Sequence, residues 1–128
     1  MRHSRRGAAV VEAAVCLPVL LMIVLGTVEI CNTIFLRQSM LLMAFEGARV
    51  AVIPDASFTD VDQQVRDIAT ARGVNIDLVK VIPADFASQP SGTFIEVEVT
   101  SSASQPGKTR LFSSGSKTVS VFIMKEHE

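Results

Sequence analysis

An almost uninterrupted apolar run near the N-terminus constrains this chain more than any other feature. The run covers residues 7–28, GAAVVEAAVCLPVLLMIVLGTV, and contains a single charged residue, Glu12. As a helix, residues 8–28 would be roughly 31 Å long, which matches the hydrocarbon core of a bilayer. Pro18 lies inside the run, and a proline kink is tolerated in a membrane helix. The run therefore predicts a retained transmembrane helix.

The charges are distributed unevenly around this helix. Residues 1–7 contain three arginines and no acid, whereas residues 8–128 contain nine Lys and Arg against thirteen Asp and Glu. Basic residues ahead of an apolar span favour a cytoplasmic N-terminus. We therefore expect a single-pass protein of the cell inner membrane whose C-terminal head is extracytoplasmic. The net charge of −1 gives no indication of nucleic-acid binding.

A secretory signal peptide is the alternative interpretation of the apolar run. Such a peptide has a shorter apolar core, followed by a cleavage site with small residues. Residues 26–31, GTVEIC, match that pattern poorly. If the segment were nevertheless removed, the product would be a secreted soluble domain with its N-terminus beyond Gly26.

The helix is expected to continue beyond the membrane to about residue 52, and Pro54 ends it. One face of this outer half carries Asn32, Ser39, Glu46 and Arg49. A stripe of apolar residues recurs at helical spacing on a different face, and we expect it to pack on the rest of the chain. The stripe consists of Ile30, Ile34, Leu41, Phe45, Ala48 and Val52.

The remaining elements predict an α+β fold. A second helix is expected over residues 59–72, with Thr59 as its cap and Gly73 at its end. Alternating apolar residues predict strands at 76–82, 93–100 and 118–124, and residues 101–116 read as a loop. We expect a small three-stranded antiparallel sheet packed on the outer half of the long N-terminal helix.

This interpretation divides the chain into four parts. Residues 1–7 form a basic cytoplasmic leader, and residues 8–28 form the transmembrane half of the long helix. Residues 29–53 form its extracytoplasmic half, and residues 54–128 form a small α+β head.

No group of residues indicates catalysis, and we expect no enzyme, no cofactor and no metal. The two histidines lie at opposite ends of the chain, and Asp60, Asp62 and Asp67 lack the spacing of a calcium loop. Cys16 and Cys31 would be about 22 Å apart on one helix, which is too far for a disulfide. They are predicted to be packing residues, with pairing between subunits as the alternative.

Two positions on the long helix require a specific explanation. A carboxylate in an apolar span costs about 2.5–3.5 kcal/mol on insertion scales, so Glu12 either reaches the interface or pairs with a positive group. Glycine in a helix costs about 1 kcal/mol relative to alanine, so we expect the sheet to approach the backbone at Gly47. Glu46 and Arg49 can form an ion pair beside it. We predict a structural role for this motif, with a subunit contact as the alternative.

The segment RRGAAVVEAAV at residues 5–15 resembles the processing region of type IV prepilins and pseudopilins. In those proteins a membrane peptidase cleaves after the glycine. The glutamate at the fifth mature position then offsets the N-terminal amine of a neighbouring subunit. On this sequence, the resemblance implies cleavage between Gly7 and Ala8. It also makes Glu12 the residue that sets the register of assembly.

A longer series of motifs is similar to the TadE-like family, minor pilin-like proteins of tight-adherence, Flp-type pilus systems. The series comprises RRGAAVVE at 5–12, LPVLLMIVLG at 17–26, Glu29, Arg37-Gln38 and EGAR at 46–49. It does not separate the TadE-type branch from the TadF-type branch.

The resemblance implies a component of pilus assembly and secretion that acts by helix-mediated association in assembly or adhesion. Its expected partners are the cytoplasmic membrane, other pilins or pseudopilins, pilus assembly proteins and a prepilin peptidase. After assembly the protein would be extracellular, in a pilus. The alternative is a single-pass, membrane-anchored envelope binding protein without a filament role.

Overall fold

The structure is a computed structural model that describes residues 4–101 and 115–125, with side chains from residue 7 onward. This described part of the chain contains two α-helices and three strands. Helix α1 (Ser4–Ala51) is followed by helix α2 (Phe58–Arg72) and strand β1 (Leu78–Ile82). A short 3-10 helix (Phe86–Ser88) then leads to β2 (Phe94–Ser101) and β3 (Lys117–Met124). The predicted α+β fold is confirmed. Most of the predicted loop at 101–116 lies outside the described residues.

The chain divides into two compact units, Met1–Thr33 and Ile34–Glu128. In the first unit α1 begins at Ser4, earlier than predicted, and continues through Pro18. Among the described residues, α1 is the one helix long and apolar enough to cross a membrane. Its most apolar 18-residue window has a mean hydropathy of 2.6 and is not buried at all. A helix that exposes apolar residues on every side needs lipid or other helices around it.

Helix α2 begins with a capping box. The Asp60 backbone N–H donates to Ser57 Oγ at 3.3 Å, and the Asp60 carboxylate accepts from the Ser57 N–H at 2.8 Å. The predicted helix is present, but the prediction of Thr59 as its cap was wrong, because Ser57 and Asp60 together satisfy the first free N–H groups. Gly73 ends the helix as predicted, with a left-handed φ of 61°.

The three strands form one antiparallel sheet in the order β1-β2-β3. Val97 of β2 pairs with Val81 of β1 and with Val121 of β3. Side chains of β2 alternate between a fully buried inner face and a half-buried outer face, as the period of two predicts. The predicted strands are present, although β1 begins two residues later than expected, at Leu78.

The core of the second unit forms where α1 packs on α2 and on the inner face of the sheet. The predicted stripe on α1 was largely wrong, because Ile34, Leu41 and Phe45 expose 50%, 51% and 47% of their surface, whereas Ser39 is fully buried. Small residues allow a close approach of the helix backbone, and they occupy much of the buried face. The buried apolar residues of α1 are Leu36, Met40, Met43, Ala44, Ala48 and Ala51.

Candidate functional site

The predicted processing bond, between Gly7 and Ala8, lies near the start of α1. Both residues are exposed. A Cβ atom added at Gly7 would meet no other heavy atom within 4 Å. Packing within the described chain therefore does not require a glycine at this position, and any reason for it must lie in a contact with another molecule or in the unfolded chain.

Glu12 lies on the exposed surface of the same helix, in the first unit. It borders an open, mostly apolar depression that is also lined by Gly7, Ala8, Val11, Val15 and Cys16. Among the residues whose side chains the structure describes, Glu12 has no ion-pair partner. The carboxylate is therefore available to accept hydrogen bonds or to pair with a positive group that another chain supplies.

Gly47 lies in the second unit, where α1, α2 and β2 meet. A Cβ atom at this position would come within 2.8 Å of Val65 Cγ2, 3.3 Å of Val97 Cγ1 and 3.5 Å of Val61 Cγ1. The nearest neighbour is thus a valine of α2, and the sheet approaches from the other side. The absence of a side chain at Gly47 is what permits three elements to pack so closely there.

Glu46 and Arg49 form an ion pair beside this contact, with 3.7 Å between Arg49 Nη1 and Glu46 Oε2. The Arg49 side chain is 71% exposed and the Glu46 side chain is 28% exposed. An exposed pair at this spacing on a helix contributes at most a few tenths of a kcal/mol. Close packing at Gly47 is therefore the stronger structural constraint in the EGAR segment.

The residues selected from the sequence fall into two groups. Gly7, Ala8 and Glu12 lie on the exposed helix of the first unit, and the EGAR residues lie at the core contact of the second. Sequence reasoning identified an apolar stripe on α1 but missed the exposure of three of its residues, which we name the outer apolar face of α1. It consists of Ile34, Leu41 and Phe45, whose side chains are about half exposed. The small residues of the buried face were the signal that could have identified it.

The described residues contain no cluster of three or more His, Cys, Asp or Glu that could hold a metal ion. Cys16 and Cys31 are free thiols on the exposed surface of α1. Neither cysteine therefore packs in the core of the described residues. Contact with lipid or with another chain is the environment that an exposed cysteine on an apolar helix would have.

A family model described as TadE-like protein matches residues 7–49. No curated protein and no solved structure matches the chain. The matched segment contains Gly7, Glu12 and the EGAR residues. The match supports a component associated with a Tad pilus, and this family is not known for enzymes. With the exposed apolar helix, it also supports a membrane-anchored protein. The resemblance to the TadE-like family is therefore confirmed over residues 7–49.

Proposed function

We propose that this chain is a minor pilin-like or pseudopilin-like component of a tight-adherence, Flp-type pilus and secretion system. One observation supports the proposal most directly. The segment that matches the TadE-like family, residues 7–49, includes the apolar run at residues 7–28, whose large apolar side chains are exposed rather than packed in a core. A helix of this kind gains its partners from the membrane or from other subunits.

The proposed mechanism is association through this helix. The helix enters the cytoplasmic membrane with the N-terminus in the cytoplasm, and the head lies outside. During assembly, contacts with lipid are exchanged for contacts with neighbouring helices. Lipid tails are as apolar as the helix, so this exchange is governed by packing and by polar groups rather than by the hydrophobic effect.

Glu12 supplies the polar group in this mechanism. It is the only charged residue in residues 7–28, and a lone carboxylate in an apolar environment is strongly favoured to pair with a positive group. A subunit that slides along its neighbour would leave Glu12 unpaired. Pairing across the subunit contact would therefore fix the axial register of the helices.

Cleavage between Gly7 and Ala8 would create the positive group. A prepilin peptidase that cuts this bond frees an amine at Ala8 and makes Glu12 the fifth residue of the mature chain. The amine of one subunit would then pair with Glu12 of the next. Gly7 faces open space in the structure, so no other heavy atom lies within 4 Å of its Cβ position.

Mass spectrometry of the protein extracted from native membranes tests the cleavage. We expect a mature chain that starts at Ala8. Gly7→Leu should retain the leader. The matched control is Gly26→Ala, because Gly26 also lies on the exposed helix and faces open space. That variant should be processed normally. An intact leader in wild-type protein, in cells that process other prepilins, would contradict the proposal.

The second candidate function is an anchored envelope protein whose head binds another envelope component without a role in a filament. The second unit has its own core, and an apolar helix is sufficient as an anchor. The two functions differ in what they require of Glu12. An anchor tolerates the loss of its charge, whereas a register contact does not.

A further inference from the structure

Strand β3 is an edge of the described sheet, and its inner face is covered less completely than that of β2. Val97 and Val99 of β2 are fully buried, whereas their register partners in β3, Val121 and Val119, are only partly buried. The inner face of the sheet is thus closed over β2 and opens toward β3. An edge strand with a partly covered apolar face can take an additional strand.

The backbone of β3 presents hydrogen-bonding groups on its free side. The Lys125 N–H donates to the Thr93 carbonyl at 3.0 Å, which sets the alternation of the ladder between β2 and β3. In an antiparallel pair, every second residue turns its N–H and C=O away from the partner strand. Ser120 and Phe122 are therefore among the residues whose backbone groups face outward, together with Thr118 and Met124.

A groove runs along this edge, between β3 and α1. We name it the β3 groove. It consists of two depressions that share Leu41 and have volumes of about 540 Å³ each. Its apolar lining includes Leu41 and Phe45 on α1 and Val119 and Val121 on β3. A strand added beside β3 would lie about 4.8 Å from it, with alternate side chains directed into this groove.

The charged side chains that line the β3 groove are all basic. Arg37 and Lys117 lie in one depression, and Arg72 lies in the other. No acidic residue lines either depression. The groove therefore favours acidic partners over basic ones. Residues 102–114 of this chain carry two basic residues and no acid, so their charge is the wrong one for this groove.

We propose that the β3 groove binds an extended segment of another protein chain as a fourth strand of the sheet. The segment presents apolar side chains to Leu41 and Phe45 and carries Asp or Glu at the inward positions toward its ends. Main-chain hydrogen bonds to β3 supply affinity, and the alternate side chains supply specificity. This inference goes beyond the assembly role proposed above and does not depend on it.

Binding of a synthetic strand to the full chain in detergent micelles tests this inference. The probe is a labelled, end-blocked peptide, Asp-Thr-Val-Thr-Val-Thr-Asp, whose inward positions are acidic, apolar, apolar and acidic. Its control carries lysine in place of both aspartates. Fluorescence anisotropy should show saturable binding of the acidic peptide and binding of the basic peptide weaker by about tenfold or more. Equal binding of the two peptides would overturn the inference.

Variants at one edge residue test the backbone contact. Ser120→Pro removes an outward N–H without removing a hydrogen bond to β2, so the sheet should persist while peptide binding is lost. Ser120→Ala keeps the N–H and should bind normally. In the unsubstituted chain, the bound peptide should slow hydrogen exchange at Phe122. Binding that is unchanged in a folded Ser120→Pro variant would overturn the inference.

Reversal of charge provides a test that does not rely on a proline variant folding. Lys117→Glu should weaken binding of the acidic peptide and improve binding of the basic one. Lys80→Glu, on the exposed outer face of β1, should change neither. Absence of saturable binding to the unsubstituted chain would overturn the inference. Binding that appears only after residues 102–114 are replaced by a glycine-serine linker would also overturn the inference. Such a result would mean that these residues occupy the groove in the unsubstituted chain.

Discussion

Gly47 of α1 faces Val65 of α2 so closely that a Cβ atom at Gly47 would lie 2.8 Å from Val65 Cγ2. Val97 of β2 limits the space from the other side, at 3.3 Å. Valine has one stiff side-chain torsion, so neither neighbour can move aside without a shift of its own backbone or rotamer. This contact joins both helices to the sheet and determines how closely the elements of the second unit pack.

Gly47→Ala is expected to destabilise the second unit. Overpacking of a core costs about 1–3 kcal/mol, and the better helix propensity of alanine returns about 1 kcal/mol, so we expect a net loss of about 1 kcal/mol. This loss of stability is measured by hydrogen exchange of the β2 amides in the detergent-solubilised full chain.

Two controls accompany Gly47→Ala. The first makes the same glycine-to-alanine change elsewhere on α1, and the second changes the neighbour of Gly47. Gly26→Ala should leave the exchange of β2 unchanged, because nothing lies within 4 Å of its Cβ position. Adding Val65→Ala to Gly47→Ala should cost less than the two single changes together. Unchanged exchange in Gly47→Ala would show that the contact is looser than described.

Ser57→Ala should weaken the start of α2. The change removes the hydroxyl that accepts from the Asp60 N–H, and loss of such a cap costs about 1 kcal/mol. Faster hydrogen exchange in the first turn of α2 is the expected result. Thr59→Ala is the matched control, because Thr59 lies inside the helix and does not cap it. Equal effects of the two substitutions would argue against the capping box.

Stability of α2 should decrease at acid pH because of Asp60. Hydrogen bonds from the Ser57 side chain and backbone lower the pKa of the Asp60 carboxyl below its ordinary value. A lowered pKa in the folded state contributes stability above the unfolded pKa, and this stability is lost as the pH falls through the folded pKa. Protection of the first-turn amides of α2 against hydrogen exchange, relative to an unstructured peptide at the same pH, should therefore fall below about pH 4 more in wild type than in Asp60→Asn. Identical pH profiles would contradict this prediction.

The order and type of the helices and strands could be predicted from the sequence, because each element is marked by a local sequence signal. Periodicity of two marks β2, Gly73 ends α2, and an unbroken apolar run marks the first part of α1. The cap of α2 was misplaced by two residues, at Thr59, because Ser57 and Thr59 are both suitable capping residues. The reciprocal bond between Ser57 and Asp60 decides between them, and it depends on geometry.

The buried face of α1 could not be chosen from apolar periodicity. This helix carries apolar residues on more than one face, so a stripe through Leu41 and Phe45 was as regular as the one that is buried. The choice depends on how closely the other elements approach. Here they approach along Ala44, Gly47, Ala48 and Ala51, where small residues leave room for Val65 and Val97. The buried face carries these small residues together with Met40 and Met43, so neither size nor hydrophobicity alone identifies it.

The candidate sites also differ in whether the sequence alone could predict them. The sequence places Gly7, Ala8 and Glu12 at the start of an apolar helix, and the structure leaves all three exposed. The β3 groove was outside the reach of sequence reasoning, because it is formed by α1 and β3, which are far apart along the chain. Its basic residues include Arg37 and Lys117, which are eighty residues apart in sequence.

Glu12→Gln, measured as pilus formation in native cells that lack their own copy of the gene, tests the central claim most directly. The glutamine side chain keeps the shape of Glu12 and removes the charge. We expect normal insertion into the membrane but a loss of surface pili by about tenfold or more, because pairing in an apolar environment depends on that charge. Glu46→Gln, which removes only an exposed ion pair, should restore pili as wild type does. Full pilus formation by Glu12→Gln would contradict the account and would favour a simple membrane anchor.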